Sequence, residues 1–183
     1  MRKYLFLILF GCIVCATSAQ TILLSTDSLA LALTEMGTVE GCRRHANTVK
    51  TSAAYYLYYE YKKDDIVRDA CARLIVMWAT DTPDMMLHLD PKLHTFIGEN
   101  KGASAELMCA YIAASEIFAI DNKVSEMTLD SYLFAMEETI LYYSKNKKRI
   151  GKLKSFEKML KMSDTERKEK FTNLYQESKG NNQ

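Results

Sequence analysis

The side chains best suited to chemistry crowd into one stretch, TDTPDMMLHLDPKLH (80–94), which holds Asp81, Asp84, His88, Asp90 and His94 within fourteen residues. Carboxylates and imidazoles are the ligands of Zn²⁺ and similar ions, and an irregular loop can turn them inward. Asp84, His88, Asp90 and His94 are therefore the candidate metal ligands. They carry the alternative reading of the chain, a metal-binding protein or metal-dependent hydrolase. Their spacing matches no defined metal motif. In the competing reading Asp84 and Asp90 cap or turn the chain beside Pro83 and Pro91, and the histidines sit at the surface. Cys42 and His45, one helical turn apart, form a weaker pair of the same kind. Glu137 and Glu138 are neighbouring carboxylates, but successive helical positions diverge by about 100°, so both are expected in solvent.

Other catalytic patterns are missing. From Gln20 onward there is no G-x-S-x-G, H-E-x-x-H, C-x-x-C or G-x-G-x-x-G, and GENKGAS (98–104) has no Lys-Ser/Thr pair after its second glycine. The sequence calls for no cofactor and leans against catalysis.

Binding chemistry has two stronger candidates. AAYYLYYEYKKDD (53–65) puts five tyrosines into seven positions. On a helix Val49, Ala53, Leu57 and Tyr61 make an ordinary core-facing stripe, while Tyr55, Tyr58 and Tyr59 fall on the opposite side with Tyr56 between. That second face is either sandwiched by neighbouring helices, the commoner arrangement, or left as an aromatic patch. Tyr55, Tyr58 and Tyr59, with Trp78 at the end of the next helix, are the candidate partner-binding groove. Trp78 has core anchor as its ordinary role.

The second candidate is basic. In KNKKRIGKLKSFEKMLK (145–161), Lys145, Lys147, Lys148, Arg149, Lys152 and Lys154 interleave with apolar residues, as in a helix that meets an anionic surface or an acidic partner. From residue 144 onward 12 basic residues face 5 acidic ones, a net of +7, whereas residues 20–143 hold 10 basic and 18 acidic, a net of −8. The nearest acidic partner is the chain's own body, within one molecule or between copies. An anionic envelope surface is a further option, and nucleic acid is not expected.

These groups must be positioned by helices. Seven glycines and two prolines in 183 residues, with apolar positions at helical spacing, predict an all-α chain. Helices are expected over 27–36, from 39 or 47 to 62, and over 65–80, 103–121, 128–146, 153–161 and 163–178, with a short one near 91–97. Thr26, Asp64, Asp65, Thr128 and the Ser163-x-x-Glu166 box supply start signals. The expectation is six to seven helices in antiparallel hairpins, forming a compact bundle or a short tetratricopeptide-like α-solenoid. The resemblance is architectural: the hairpins are offset by some 56 residues, Tyr55 against Tyr111, where that repeat has a period of about 34.

The N-terminus predicts the compartment. Arg2 and Lys3, an apolar run over 4–14 and CATSAQ (15–20) make a secretory signal over 1–19, leaving 20–183 as a single all-α domain, periplasmic or secreted and bacterial in style. Leu9-Phe10-Gly11-Cys12 resembles a lipobox, with Cys12 as the lipid acceptor, but the apolar run continues past it. Cys42, Cys71 and Cys109 remain; Cys71 and Cys109 fall on helix faces expected to be buried, and no structural disulfide is expected, a single bridge being the alternative. The reading is a non-enzymatic protein-interaction or binding module of the cell envelope, with an inhibitor or immunity-type protein as one variant.

Overall fold

The computed structural model describes residues 24–87, 89, 90, 94 and 99–180. The signal segment expected over 1–19, Cys12 with it, and all but His94 of the short helix expected over 91–97 lie outside the described residues. Those residues form eight α-helices and no strand: α1 (Thr26–Glu35), α2 (Val39–Arg44), α3 (Ala46–Tyr58), α4 (Ile66–Asp81), α5 (Lys101–Asn122), α6 (Leu129–Ile150), α7 (Lys154–Met159) and α8 (Asp164–Gly180).

Most starts follow local hydrogen-bonding chemistry. Ser25, one residue before the expected Thr26, caps α1 by accepting the Ser28 N–H at 3.0 Å. Asp65 caps α4 by accepting from the Arg68 N–H, and Thr128 and Ser131 cap α6 reciprocally. At α8 the Ser163 N–H donates to Glu166 at 2.7 Å, and the Glu166 N–H donates back to the Ser163 hydroxyl.

Eight helices form where six to seven are expected because the segment over 39–62 divides. The chain bends at His45 (φ −97°, ψ 7°), which turns its Nε2 to within 2.8 Å of the Glu35 carboxylate. Gly41 makes the close return of α2 onto α1 possible, since a Cβ there would sit 2.0 Å from the Glu35 carbonyl oxygen. At the other end α3 stops at Tyr58, four residues early: Tyr59 turns to extended backbone (φ −80°, ψ 146°) and stacks its ring on Tyr55, centroids 4.6 Å apart.

The apolar helix α5 is the centre. By length and composition it could cross a membrane, with mean hydropathy 1.4, yet here it packs against α3, α4 and α6. Two clusters of buried side chains result. One gathers Leu29, Cys42, Leu74 and Trp78 from α1, α2 and α4. The other gathers Leu107, Tyr111, Tyr132, Tyr143, Phe156 and Phe171 from α5 to α8.

The basic segment docks within the chain, chiefly by apolar burial. Leu153, Phe156, Met159 and Phe171 are buried, each contributing about 1.5–3 kcal/mol. Two ion pairs reach from it to acids of the body, Arg149 with Glu106 and Arg167 with Glu137. Cys42, Cys71 and Cys109 are buried and unpaired with one another.

Candidate functional site

The five tyrosines over 55–61 divide between interior and surface. Tyr56 is buried, stacked on Tyr142 at 5.6 Å, with its hydroxyl donating to the Glu106 carbonyl. Tyr55 is half-buried and donates its hydroxyl to Asp65 at 3.1 Å. Tyr58, Tyr59 and Tyr61 are exposed, at 48%, 39% and 38%. The early end of α3 explains why Tyr61 is outside: beyond Tyr58 there is no helical register to carry it onto the core stripe with Leu57.

Trp78 does not join them at the surface. It is 3% exposed, its indole N–H donates to the Cys42 carbonyl at 2.9 Å, and its ring packs among Leu29, Cys42, Val49 and Leu74. A groove shared by Trp78 and the tyrosines is therefore corrected: α4 presents Trp78 to the amino-terminal cluster, where an indole buries most area. Its edge lines a cavity of about 370 Å³ with Pro83, Asp84, Ala119, Ile120 and Lys123, and no tyrosine of 55–61 borders that space.

The neighbours of the exposed tyrosines come from α6. Lys145 Nζ lies 5.7 Å from the Tyr58 ring centroid, and the Arg149 guanidinium carbon lies 3.8 Å from that of Tyr61. Lys145, Lys148 and Arg149 stand at i, i+3 and i+4, one helical face. Lys147 turns elsewhere, 3.8 Å from Glu157, while Lys152 and Lys154 are exposed on either side of buried Leu153. The tyrosine segment and half of the basic segment thus meet in one composite surface. Glu138, expected in solvent, is half-buried beneath it; burial raises its pKa, while the Tyr58 hydroxyl and the Lys145 charge pull it back.

Under this surface lies a polar cluster. Arg68 is 4% exposed, with its guanidinium carbon 4.1 Å from the Tyr56 ring centroid, 5.5 Å from that of Tyr61 and 5.6 Å from that of Tyr142. Its Nη2 donates to the Tyr142 hydroxyl at 2.6 Å; Tyr142 in turn donates to Glu106, which also accepts from both terminal nitrogens of Arg149. Burial pushes the Glu106 carboxyl up, but these donors and the Arg149 charge outweigh it, so its pKa is lowered. Tyr142 is pushed up to about 12, by burial first and by Glu106 next.

Ten residues further along α5, Glu116 is fully buried and neither carboxyl oxygen has a hydrogen-bond partner among the described residues. Burial alone raises its pKa well above the usual carboxylate range.

Two of the candidate metal ligands, Asp84 and His94, are committed to separate neighbours. Arg43 holds Asp84 through two hydrogen bonds of 2.9 Å, which lower its pKa. His94 is buried, with its N–H and Nδ1 both 2.9 Å from the Asp90 carbonyl oxygen and its ring edge-on to Tyr111 at 4.4 Å. Burial lowers its pKa. A surface position for that imidazole is thus corrected: α5 and α6 supply an aromatic slot for it. Asp90 meets His94 through its backbone, and His88 lies outside the described residues. Among the described residues no three His, Cys, Asp or Glu side chains cluster as a metal site, and Cys42 turns to Met36 while His45 turns to Glu35.

Sequence reading missed Arg68, Glu106 and Tyr142. An arginine in the first turn of a helix reads as solvated, and the rings of Tyr56, Tyr61 and Tyr142 bury it. No known protein family, curated protein or solved structure matches this chain.

Proposed function

We propose that the chain is an exported, non-catalytic helical module of the cell envelope that binds an acidic partner protein through the surface of Tyr58, Tyr59, Tyr61, Lys145 and Arg149. The observation that carries this reading is the meeting of the tyrosines at the end of α3 and just beyond it with α6: Lys145 over Tyr58 and Arg149 over Tyr61. Tyrosine and arginine are the residues that carry most binding energy at interfaces, because they bring large contact area at little conformational cost. The charge is one-sided, since residues from 144 onward carry the net of +7, and among the described residues two of their cations, Arg149 and Arg167, form ion pairs with acids of the body. An acidic face complements it.

The packing supports the α-solenoid form of the fold. α3 packs on both α4 and α5, α4 also reaches α5, and α5 packs on α6, while α3 and α6 barely meet. A closed four-helix bundle needs its first and last helices in full contact. Successive hairpins stacked edge to edge do not. The placements of Asp84 and His94 lend no support to a metal-dependent activity.

A photo-crosslinking residue at position 59 tests the proposal in envelope extracts. The expected result is a crosslink to an acidic protein that Lys145→Glu with Lys148→Glu abolishes and high salt weakens. Equal crosslinking from position 73, on the exposed side of α4, or indifference to charge reversal would overturn it. A product of twice the chain mass would identify the partner as a second copy.

A further inference from the structure

The cluster beneath Tyr61 has an imbalance. Two guanidinium groups, Arg68 and Arg149, share a single carboxylate, Glu106, and Arg68 reaches it only through the Tyr142 hydroxyl. Arg68 is 96% removed from solvent by its 4% exposure, yet its Nη1 has no hydrogen-bond partner among the described residues. A buried guanidinium nitrogen without an acceptor is costly and rare. Asp65, which caps the same helix, is engaged by the Arg68 backbone N–H and the Tyr55 hydroxyl. What separates Arg68 from solvent includes the Tyr61 ring, which lies outside any helix, is 38% exposed, and stacks over both guanidinium groups.

Resting on the binding surface proposed above, we infer that Arg68 and Arg149 form a receptor for one side-chain carboxylate of the partner, entered when Tyr61 swings aside. The surplus of the hydrogen-bonded cluster is one positive charge, which a carboxylate neutralises, whereas a phosphate group carries about −1.5 to −2 and would overcompensate it. Arginine forks suit a carboxylate because two N–H groups can meet its two oxygens in one plane. Arg149 already holds Glu106 in that manner. The incoming carboxylate would give Arg68 the acceptor it lacks, and Tyr61 would lose only its cation–π contacts.

The test is titration of the full chain with a blocked hexaglutamate peptide, read by NMR at the guanidinium signals of Arg68 and Arg149, with inorganic phosphate titrated in parallel. The Arg68 Nη signals should shift with the peptide. Tyr61→Ala should tighten binding of this peptide, which has no apolar surface to lay on the ring, by about 2- to 5-fold, the equivalent of one exposed cation–π contact. Arg149→Gln should weaken it. Arg68→Met should abolish it, and if that variant fails to fold the wild-type Arg68 signals still decide the matter. Peptide binding with silent Arg68 signals, or with equal affinity for Tyr61→Ala, overturns the receptor and leaves the acidic-partner reading intact. No peptide binding to either form overturns both. A phosphate response at lower concentration than the peptide overturns the assignment to a carboxylate.

Discussion

The cluster around Trp78 is apolar apart from two thiols and an indole N–H, whereas the cluster around α5 and α6 is rich in tyrosine hydroxyls and carries Arg68, Arg149 and Glu106 at its edge. The first holds by shape, as the missing Cβ of Gly41 against the Glu35 carbonyl shows. The second holds charges that must be matched. An interior of the first kind is indifferent to pH and intolerant of volume; one of the second kind is the reverse. The comparison extends along α5 itself: Glu106 is surrounded by donors and stays ionised, while Glu116 has none and keeps its proton.

Four substitutions sharpen or break that contrast, each read by urea denaturation of the full chain. Trp78→Ala should cost about 3–5 kcal/mol, nearly the same amount at pH 5 and pH 8, because the ring packs among the apolar side chains of Leu29, Val49 and Leu74. A pH-dependent loss would break the distinction. Gly41→Ala should cost about 3 kcal/mol, since the new methyl meets backbone and not a flexible side chain.

Glu116→Met should stabilise the protein at pH 7, and by more than it does at pH 4. A folded-state pKa raised above the unfolded value means that stability is complete below about pH 4.5 and falls as pH rises, by about 1.4 kcal/mol per unit, until the folded carboxyl ionises. The gain should therefore shrink as pH falls to 4, leaving only the cost of a buried, unpaired neutral carboxyl. Glu106→Gln should destabilise by about 1–2 kcal/mol at pH 7, discounted because Arg149 is a third exposed. Its folded pKa is lowered, so its contribution is present above about pH 4.5 and lost as pH falls through the folded value, and the variant should converge on the wild type in acid. Slopes of the same sign for the two glutamate variants would show that they share one environment.

Much of the helical framework was legible because its signals are local. Asp65, Thr128 and the Ser163 and Glu166 pair cap their helices through atoms three residues apart, and the apolar spacing of 129–143 puts Met136, Ile140 and Tyr143 inside. The break at His45 was not legible, because it depends on the Glu35 carboxylate and on contact between two helices. The tyrosines were legible as a two-faced segment, yet which rings reach solvent depends on where α3 stops. Their meeting with Lys145 and Arg149 is a tertiary fact between α3 and α6, and no spacing rule encodes it. Arg68 illustrates the limit most sharply: as a residue type it reads as solvent-facing, and its burial comes from Tyr56, Tyr61 and Tyr142 around it.

The three thiols give the molecule an internal clock. Cys42 and Cys71 sit in the amino-terminal cluster and Cys109 in the central one, and burial pushes Cys71 up to about 11 and Cys109 up to about 12. At neutral pH each reacts with a thiol reagent only when its surroundings open. Labelling rates, resolved by peptide mass, would time the opening of each cluster separately in the native protein, with no probe introduced.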